Sequence, residues 1–278
     1  MFTGVRGVTG RDLDAVRALL ALDPVGNCFL DGRVAVAGVD PWRLGGDLWG
    51  YVEDDRLVSL LYCGANLVPV ASTPAARAAF ADRLRQTGRR CSSFVGPAAE
   101  VLDLWRLLEP SWGPAREVRS SQPLLAIDHD PGIAADGTVR RTEPAEIDLL
   151  LPACIDMFTE EVGVSPVAGG AGSAYRARIL EIIRAGRSFV RIEGGEVLFK
   201  AEVGAVSSAA CQVQGVWVAN ALRGRGLAAP AMAAVVQQAR AGIAPVVSLY
   251  VNDFNTAARK AYDRVGFTQV GEFATVLF

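Results

Sequence analysis

Gln212-Val-Gln-Gly-Val-Trp-Val-Ala-Asn-Ala-Leu-Arg-Gly-Arg-Gly-Leu-Ala-Ala-Pro-Ala-Met232 is the stretch on which the reading of this chain turns. Val213, Val216, Trp217 and Val218 favour a strand. Arg223-Gly224-Arg225-Gly226 then lets the backbone turn tightly and approach a ligand, because glycine has no Cβ in the way. From Leu227 the residues are good helix formers, and Pro230 falls in the first turn, where its missing N–H does least damage. The order is strand, short basic glycine loop, helix. A helix start carries N–H groups without acceptors and the positive end of the macrodipole, so a phosphate or diphosphate settles there. Arg223 and Arg225 add two permanent positive charges at the same mouth.

Outward from that stretch, 278 residues that are 51% hydrophobic are enough for two domains with real cores. The formal net charge of −2 argues against a general nucleic-acid binder, which would be basic. The cysteines (Cys28, Cys63, Cys91, Cys154, Cys211) are far apart and odd in number, with no metal-ligand spacing. They read as buried free thiols in a reducing, cytoplasmic compartment, with no metal. Met1-Phe-Thr-Gly-Val-Arg-Gly7 has no signal-peptide core, and charged residues interrupt each apolar run before membrane-spanning length, so no membrane partner is expected. The single histidine, His129, sits in turn-like Asp128-His-Asp-Pro-Gly132 with no Gly-x-Ser-x-Gly elbow in the chain, which speaks against a hydrolase triad.

Taken in order, the first half predicts helices over 11–22 and 27–38, a hairpin of 47–53 and 57–62 turning at Asp54-Asp55, and a strand over 66–70. A helix capped by Ser72-Thr73-Pro74 runs over 75–86. A strand over 91–95, a helix through Val101, Leu104, Trp105 and Leu108, and a strand over 122–127 complete it. Asp128–Gly137 is the linker. The second half repeats the order: a strand at 139–142, a helix through Ile147, Leu150, Leu151 and Ile155, a loop over 157–173, and a helix over 174–184. A hairpin of 188–192 and 197–203 then precedes the opening stretch. A strand over 245–252, a helix over 255–264 and two strands over 268–271 and 273–278 end it. The domains are expected at 1–130 and 137–278. Where the second half has Arg-Gly-Arg-Gly, the first has Val70-Ala-Ser-Thr-Pro74, whose proline and lack of glycine deny it the same row of free N–H groups. Only the second half is expected to hold a phosphate.

Gly224-Arg-Gly226-Leu-Ala-Ala229 also fits the dinucleotide pattern G-x-G-x-x-A. Against a Rossmann domain stand the antiparallel strands before it, the single crossover after it, and an acidic residue, Asp253, lying beyond the usual spacing of ~20 residues. A plain tight turn with two exposed arginines is the other reading.

With the downstream residues added, the sequence resembles the GNAT superfamily of Gcn5-related N-acetyltransferases. Arg223-Gly-Arg-Gly226-Leu-Ala228 matches its (Gln/Arg)-x-x-Gly-x-(Gly/Ala) signature for acetyl-coenzyme A. Asn252-Asp-Phe-Asn255-Thr-Ala-Ala258-Arg-Lys-Ala-Tyr262, followed by Gly266-Phe267, matches the second signature. The likeness covers about 139–278. The first half, through Asp23-Pro-Val-Gly-Asn27 and Trp49-Gly-Tyr51, resembles the uncharacterised domain that precedes such domains in some actinobacterial proteins.

The resemblance implies an α/β (α+β) fold of tandem GNAT-like domains, each a mixed, mostly antiparallel sheet flanked by helices, the N-terminal copy degenerate. It implies an acetyl-CoA-dependent N-acetyltransferase acting on a primary amine of a small molecule, peptide or protein. The alternative is a CoA-binding sensor or scaffold without turnover. The backbone of Val216 to Val218, around Trp217, should bond the pantetheine arm. The amides of Arg225, Gly226, Leu227 and Ala228 should hold the diphosphate, with Arg223 and Gly224 in the same cofactor-binding loop. Asn252, Asn255 and Ala258 should line the cofactor, Asn255 also being a natural N-cap. Tyr262 matches the general acid, and a packed tyrosine is its alternative. The central-strand glutamate of some members is Gln212 here, so the base falls to Glu202, Glu161 or Glu160, or to a water chain. Residues 157–166 read as a substrate lid or as a loop packed on the N-terminal half. Trp217 lines the acceptor groove or packs between helix and sheet. Monomer and homodimer both stay open, the closing strands offering an edge for pairing.

Overall fold

The computed structural model describes residues 1–278. The chain divides into two compact units, one of Met1–Leu125, Tyr250–Phe254 and Gln269–Phe278, the other of Ala126–Leu249 and Asn255–Thr268. This division does not follow the contiguous pieces 1–130 and 137–278, because segments late in the sequence cluster with the first half.

The first stretch of chain forms β1 (Gly4–Gly7), α1 (Leu13–Leu20), α2 (Cys28–Ala37), α3 (Pro41–Leu44), β2 (Asp47–Glu53), β3 (Arg56–Cys63), β4 (Asn66–Val70), α4 (Pro74–Thr87), β5 (Ser93–Pro97), α5 (Ala98–Trp112) and β6 (Glu117–Ile127). β1 to β4 form an antiparallel meander, and β4 and β5 run parallel. The β2–β3 turn puts Asp54 and Asp55 at φ 50° and 65°, a left-handed conformation that aspartate tolerates. Successive side chains of a strand point to opposite faces, so one meander serves two cores. Leu60 and Tyr62 join Val16, Leu20 and Leu30 of α1 and α2, while Leu61 joins Phe80, Leu104 and Leu108 of α4 and α5. Thr73 caps α4, its Oγ1 accepting the Ala76 N–H at 3.2 Å. Thr73→Ala should lower stability by about 1 kcal/mol in a urea melt.

The second stretch forms β7 (Arg140–Arg141), α6 (Ile147–Val162), α7 (Gly172–Arg184), β8 (Ser188–Glu193), β9 (Glu196–Val206), β10 (Ala210–Val218), α8 (Ala228–Gly242), β11 (Val246–Tyr250), α9 (Thr256–Val265) and β12 (Thr268–Leu277). Apart from α3, it repeats the order of the first. β7 to β10 are antiparallel, and β10 and β11 are parallel. Ile147, Leu150 and Cys154 of α6 meet Ile179 and Ile183 of α7 over Val190 and Val197. The buried Met232, Val235 and Val236 line the inward face of α8.

Two expectations are corrected. Residues 157–162 are the last turns of α6, which stops at Gly163 in a left-handed C-cap, so the expected loop and lid start later. The two strands expected over 268–271 and 273–278 are one strand, β12, which runs through Glu272 and ends at Leu277. Its Phe273–Leu277 segment pairs antiparallel with Pro97–Ser93 of β5. Ala274 and Val276 enter the first unit's core, and the Phe278 ring stands edge-on to Phe94 and Trp105 at 5.4 and 5.3 Å.

Candidate active site

The second unit brings the opening stretch together as strand, bulge, turn, loop and helix. Gly224 and Gly226 adopt φ of 74° and 81°, which glycine takes without strain, and nothing lies within 4 Å of where a Cβ would stand. The N–H groups of Arg225, Gly226, Leu227 and Ala228 bond to no other group of the chain, and α8 has no side-chain cap. Four outward amides at a helix start form an anion cradle. Of the two arginines, only Arg225 has no ion pair. Arg223 folds back: its Nε donates to the Val218 carbonyl at 3.0 Å and its guanidinium to Glu160 Oε2 at 2.8 Å. Both side chains of that ion pair are nearly half exposed, so it orients the loop more than it stabilises the fold.

The equivalent junction of the first unit, between β4 and α4, carries its own anion. Glu100 Oε2 accepts from the Ser72 N–H at 2.8 Å and the Ser72 hydroxyl at 2.6 Å. The donors that a phosphate would need there are already satisfied.

β10 and β11 pair only at Ala210, Cys211 and Gln212 with Val246, Val247 and Ser248. Beyond Gln212, β10 runs on to Val218 with no partner on that side. On its other side the register with β9 shifts between Gln214 and Trp217, a bulge in which Gly215 takes φ 59°. The backbone around Val216 therefore faces an opening between two splayed strands.

Behind the bulge lies a buried polar cluster. Lys200 is fully buried. Its Nζ donates to Glu202 Oε2 at 3.3 Å and Cys154 Sγ at 3.5 Å, while Gln214 Nε2 donates to Glu202 Oε1 at 3.0 Å. Burial by itself would push the Lys200 pKa down, but the Glu202 charge and then Cys154 outweigh it and hold the ammonium above the usual lysine value. Burial raises the Cys154 thiol, so it stays protonated. Tyr175 donates to the Cys154 carbonyl at 3.0 Å. A Cβ at Gly215 would come within 3.0 Å of Met157 Cε and 3.1 Å of Lys200 Nζ, so the bulge rests directly on the cluster.

Sequence reasoning named Glu202 and missed Lys200, Cys154, Gln214 and Tyr175. The strand period carried the signal for Lys200, two residues before Glu202 on the same face of β9.

On α9, Asn255 Oδ1 accepts the Ala258 N–H at 3.1 Å, making it the helix's N-cap. Ala258 and Tyr262 follow on the same face. The Tyr262 ring is buried against Phe267, and its hydroxyl bonds to no group of the chain. Burial, and then the nearby Glu161 carboxylate, raise its pKa, so it is protonated at neutral pH. Asn252 belongs to the Tyr250–Phe254 segment of the first unit, where its Oδ1 accepts from Gln122 Nε2 at 2.8 Å. Trp217 packs on the α6–α7 core, as one of its two readings expects, yet its indole N–H is buried with no acceptor. His129 is exposed on a loop. No helix is long and apolar enough to cross a membrane, and no group of three or more His, Cys, Asp or Glu side chains is placed to hold a metal ion.

Residues 166–267 match the model of the acetyltransferase (GNAT) family, and residues 46–150 match a domain of unknown function, DUF4081. No curated protein matches the chain by sequence. Among solved structures, a GNAT-family acetyltransferase from Colwellia psychrerythraea is 13% identical, with 99% of both chains covered and a TM-score of 0.57. A GCN5-related N-acetyltransferase from Sphaerobacter thermophilus is 16% identical, covering 98% of this chain and 93% of that one, with a TM-score of 0.58. A tandem GNAT protein from the clavulanic acid biosynthesis pathway is 16% identical, covering 99% and 98%, with a TM-score of 0.54. At such identities the likeness is one of fold: a mixed, mostly antiparallel sheet flanked by helices. The chain carries a domain of the GNAT acetyltransferase family over residues 166–267, preceded by a DUF4081-type domain over residues 46–150.

Proposed function

We propose that the 137–278 half is an acetyl-CoA-dependent N-acetyltransferase acting on a primary amine of a small molecule, peptide or protein, and that the 1–130 half is a degenerate copy. The observation that carries this is the cradle of four unpaired amides from Arg225 to Ala228, beside the opening that starts past Gln212. Such amides suit a diphosphate, and exposed strand backbone near Val216 to Val218 suits an extended arm carrying amides. Bound coenzyme would supply a thioester-activated acetyl group. The chain's part is to hold it, exclude water and handle protons. Asn255 and Ala258 set the helix face that presents Tyr262, whose protonated hydroxyl is free to donate to a departing thiolate.

The carboxylates divide by environment. Glu202 has both oxygens engaged, by Lys200 and Gln214, and so serves as a fixed negative charge more readily than as a proton acceptor. Glu161, exposed near Tyr262, is the better-placed acceptor for an amine proton, directly or through water. The engagement of Glu202 also gives the sensor reading its support, because a binding module needs no free base. Cytoplasmic location and either a monomer or a homodimer accord with this proposal.

Acetyl-CoA turnover against a panel of amines, followed by release of free thiol, tests the function. Tyr262→Phe should slow release by about 10²-fold or more while acetyl-CoA affinity, measured by calorimetry, stays within about twofold. Coenzyme binding with no thiol release from any amine would favour the sensor.

A further inference from the structure

The first unit has a cleft of about 680 Å³, within the usual range for small-molecule sites. It lies where β2, β4 and β5 begin and β3 ends, lined by residues such as Asp47, Cys63, Leu67 and Cys91. This is the opposite end of the β4–β5 parallel pair from Ser72 and Glu100, so it is not a remnant of a diphosphate site.

Three tryptophans surround it: Trp42, Trp49 and Trp112. Trp42 on α3 is 94% exposed, an unusual state for so large an apolar side chain. Trp49 is buried, with the Arg83 guanidinium 4.4 Å from its ring centroid. Trp112 packs edge-on to Phe94, and its indole N–H is buried without an acceptor. Two charges complete the lining. Asp47 and Arg90 are both exposed there, and neither side chain makes a hydrogen bond or ion pair with the rest of the chain.

We propose that this cleft binds a free amino acid with an aromatic side chain: Asp47 takes the ammonium, Arg90 takes the carboxylate, and the indoles take the ring. A guanidinium holds a carboxylate through paired donors, an aspartate suits an ammonium, and indole surfaces suit a flat apolar body. The two thiols accord with a binding role. Burial raises Cys63, helped by Asp47 and Cys91, and raises Cys91 to about 11, so neither is an ionised nucleophile at neutral pH.

The test is calorimetry on the full chain with L-phenylalanine, phenethylamine and 3-phenylpropionate. L-Phenylalanine should bind, and each analogue, lacking one charge, should bind roughly tenfold or more weakly. Asp47→Asn should weaken L-phenylalanine by a similar factor and leave 3-phenylpropionate unchanged. Arg90→Ala should weaken L-phenylalanine and leave phenethylamine unchanged. Unaltered circular dichroism and melting temperature show that each variant is folded. The proposal is overturned by no binding of L-phenylalanine up to about 10 mM, or by binding that ignores Asp47→Asn and Arg90→Ala in folded protein. Neither readout depends on the second unit.

Discussion

Gly226→Val is expected to raise the dissociation constant for acetyl-CoA by about two orders of magnitude or more, with little change in melting temperature. Gly226 sits at φ 81°, where a residue with a Cβ meets its own backbone, costing on the order of 1–2 kcal/mol. The space around it is open, so the strain is relieved by turning the loop, and the fold is spared. Turning the loop takes the Gly226 and Leu227 amides out of the cradle. Hydrogen bonds from amides to a charged phosphate contribute about 1.5–3 kcal/mol each, and two of them account for the loss. Gly195→Ala is the control. Gly195 has φ 82° with equally open surroundings, but it lies in the β8–β9 turn. That variant should carry similar strain and bind coenzyme normally. Calorimetry on both variants decides the matter, and equal affinities would remove the cradle from the proposal.

Lys200→Met should be the most destabilising single change in the second unit, by about 3–5 kcal/mol in denaturant melts. It strands Glu202, which is only 5% exposed, without its counter-charge. Lys200→Met with Glu202→Leu should regain much of that loss, because an apolar pair of similar volume often replaces a buried ion pair at little cost. If Glu202 serves the proposed site, the double variant recovers stability and not turnover. The pH dependence follows from the raised lysine pKa. Stabilisation from Lys200 is complete below the ordinary lysine value and fades only as pH climbs through the higher folded-state value. The Lys200 side of the pair should therefore leave stability flat through neutral pH and lower it in strong alkali. A double variant as unstable as Lys200→Met would count against the stranded-charge account.

What the sequence disclosed was local chemistry. Asp54-Asp55 announced a hairpin, Thr73 and Asn255 announced helix starts, and the glycines of 223–226 announced a loop that only glycine can form. Each of these is decided within a few residues. The end of α6 was missed because its Thr-Glu-Glu-Val has no strong apolar stripe, and Glu160 gains its partner, Arg223, from 63 residues away. Lys200 went unnamed, since its burial depends on Cys154 from another element. A break was read after Gly271, at Glu272, but β12 runs through it. Asn252 matched a signature by spacing, while its hydrogen bond to Gln122 depends on which unit its segment joins. In each case the deciding contact is long-range, and single-residue preferences do not encode it.

The placement of β12 bears on how the protein is made. A ribosome delivers the first unit's helices and meander early, but Phe273, Ala274 and Val276 follow only after the whole second unit has emerged. At ordinary elongation rates that interval is on the order of ten seconds. Throughout it, β5 waits with one rim unpaired, a surface that invites misassembly. The half of the protein that is synthesised first is thus the half that matures last, and nascent-chain chaperones would find their binding surface there.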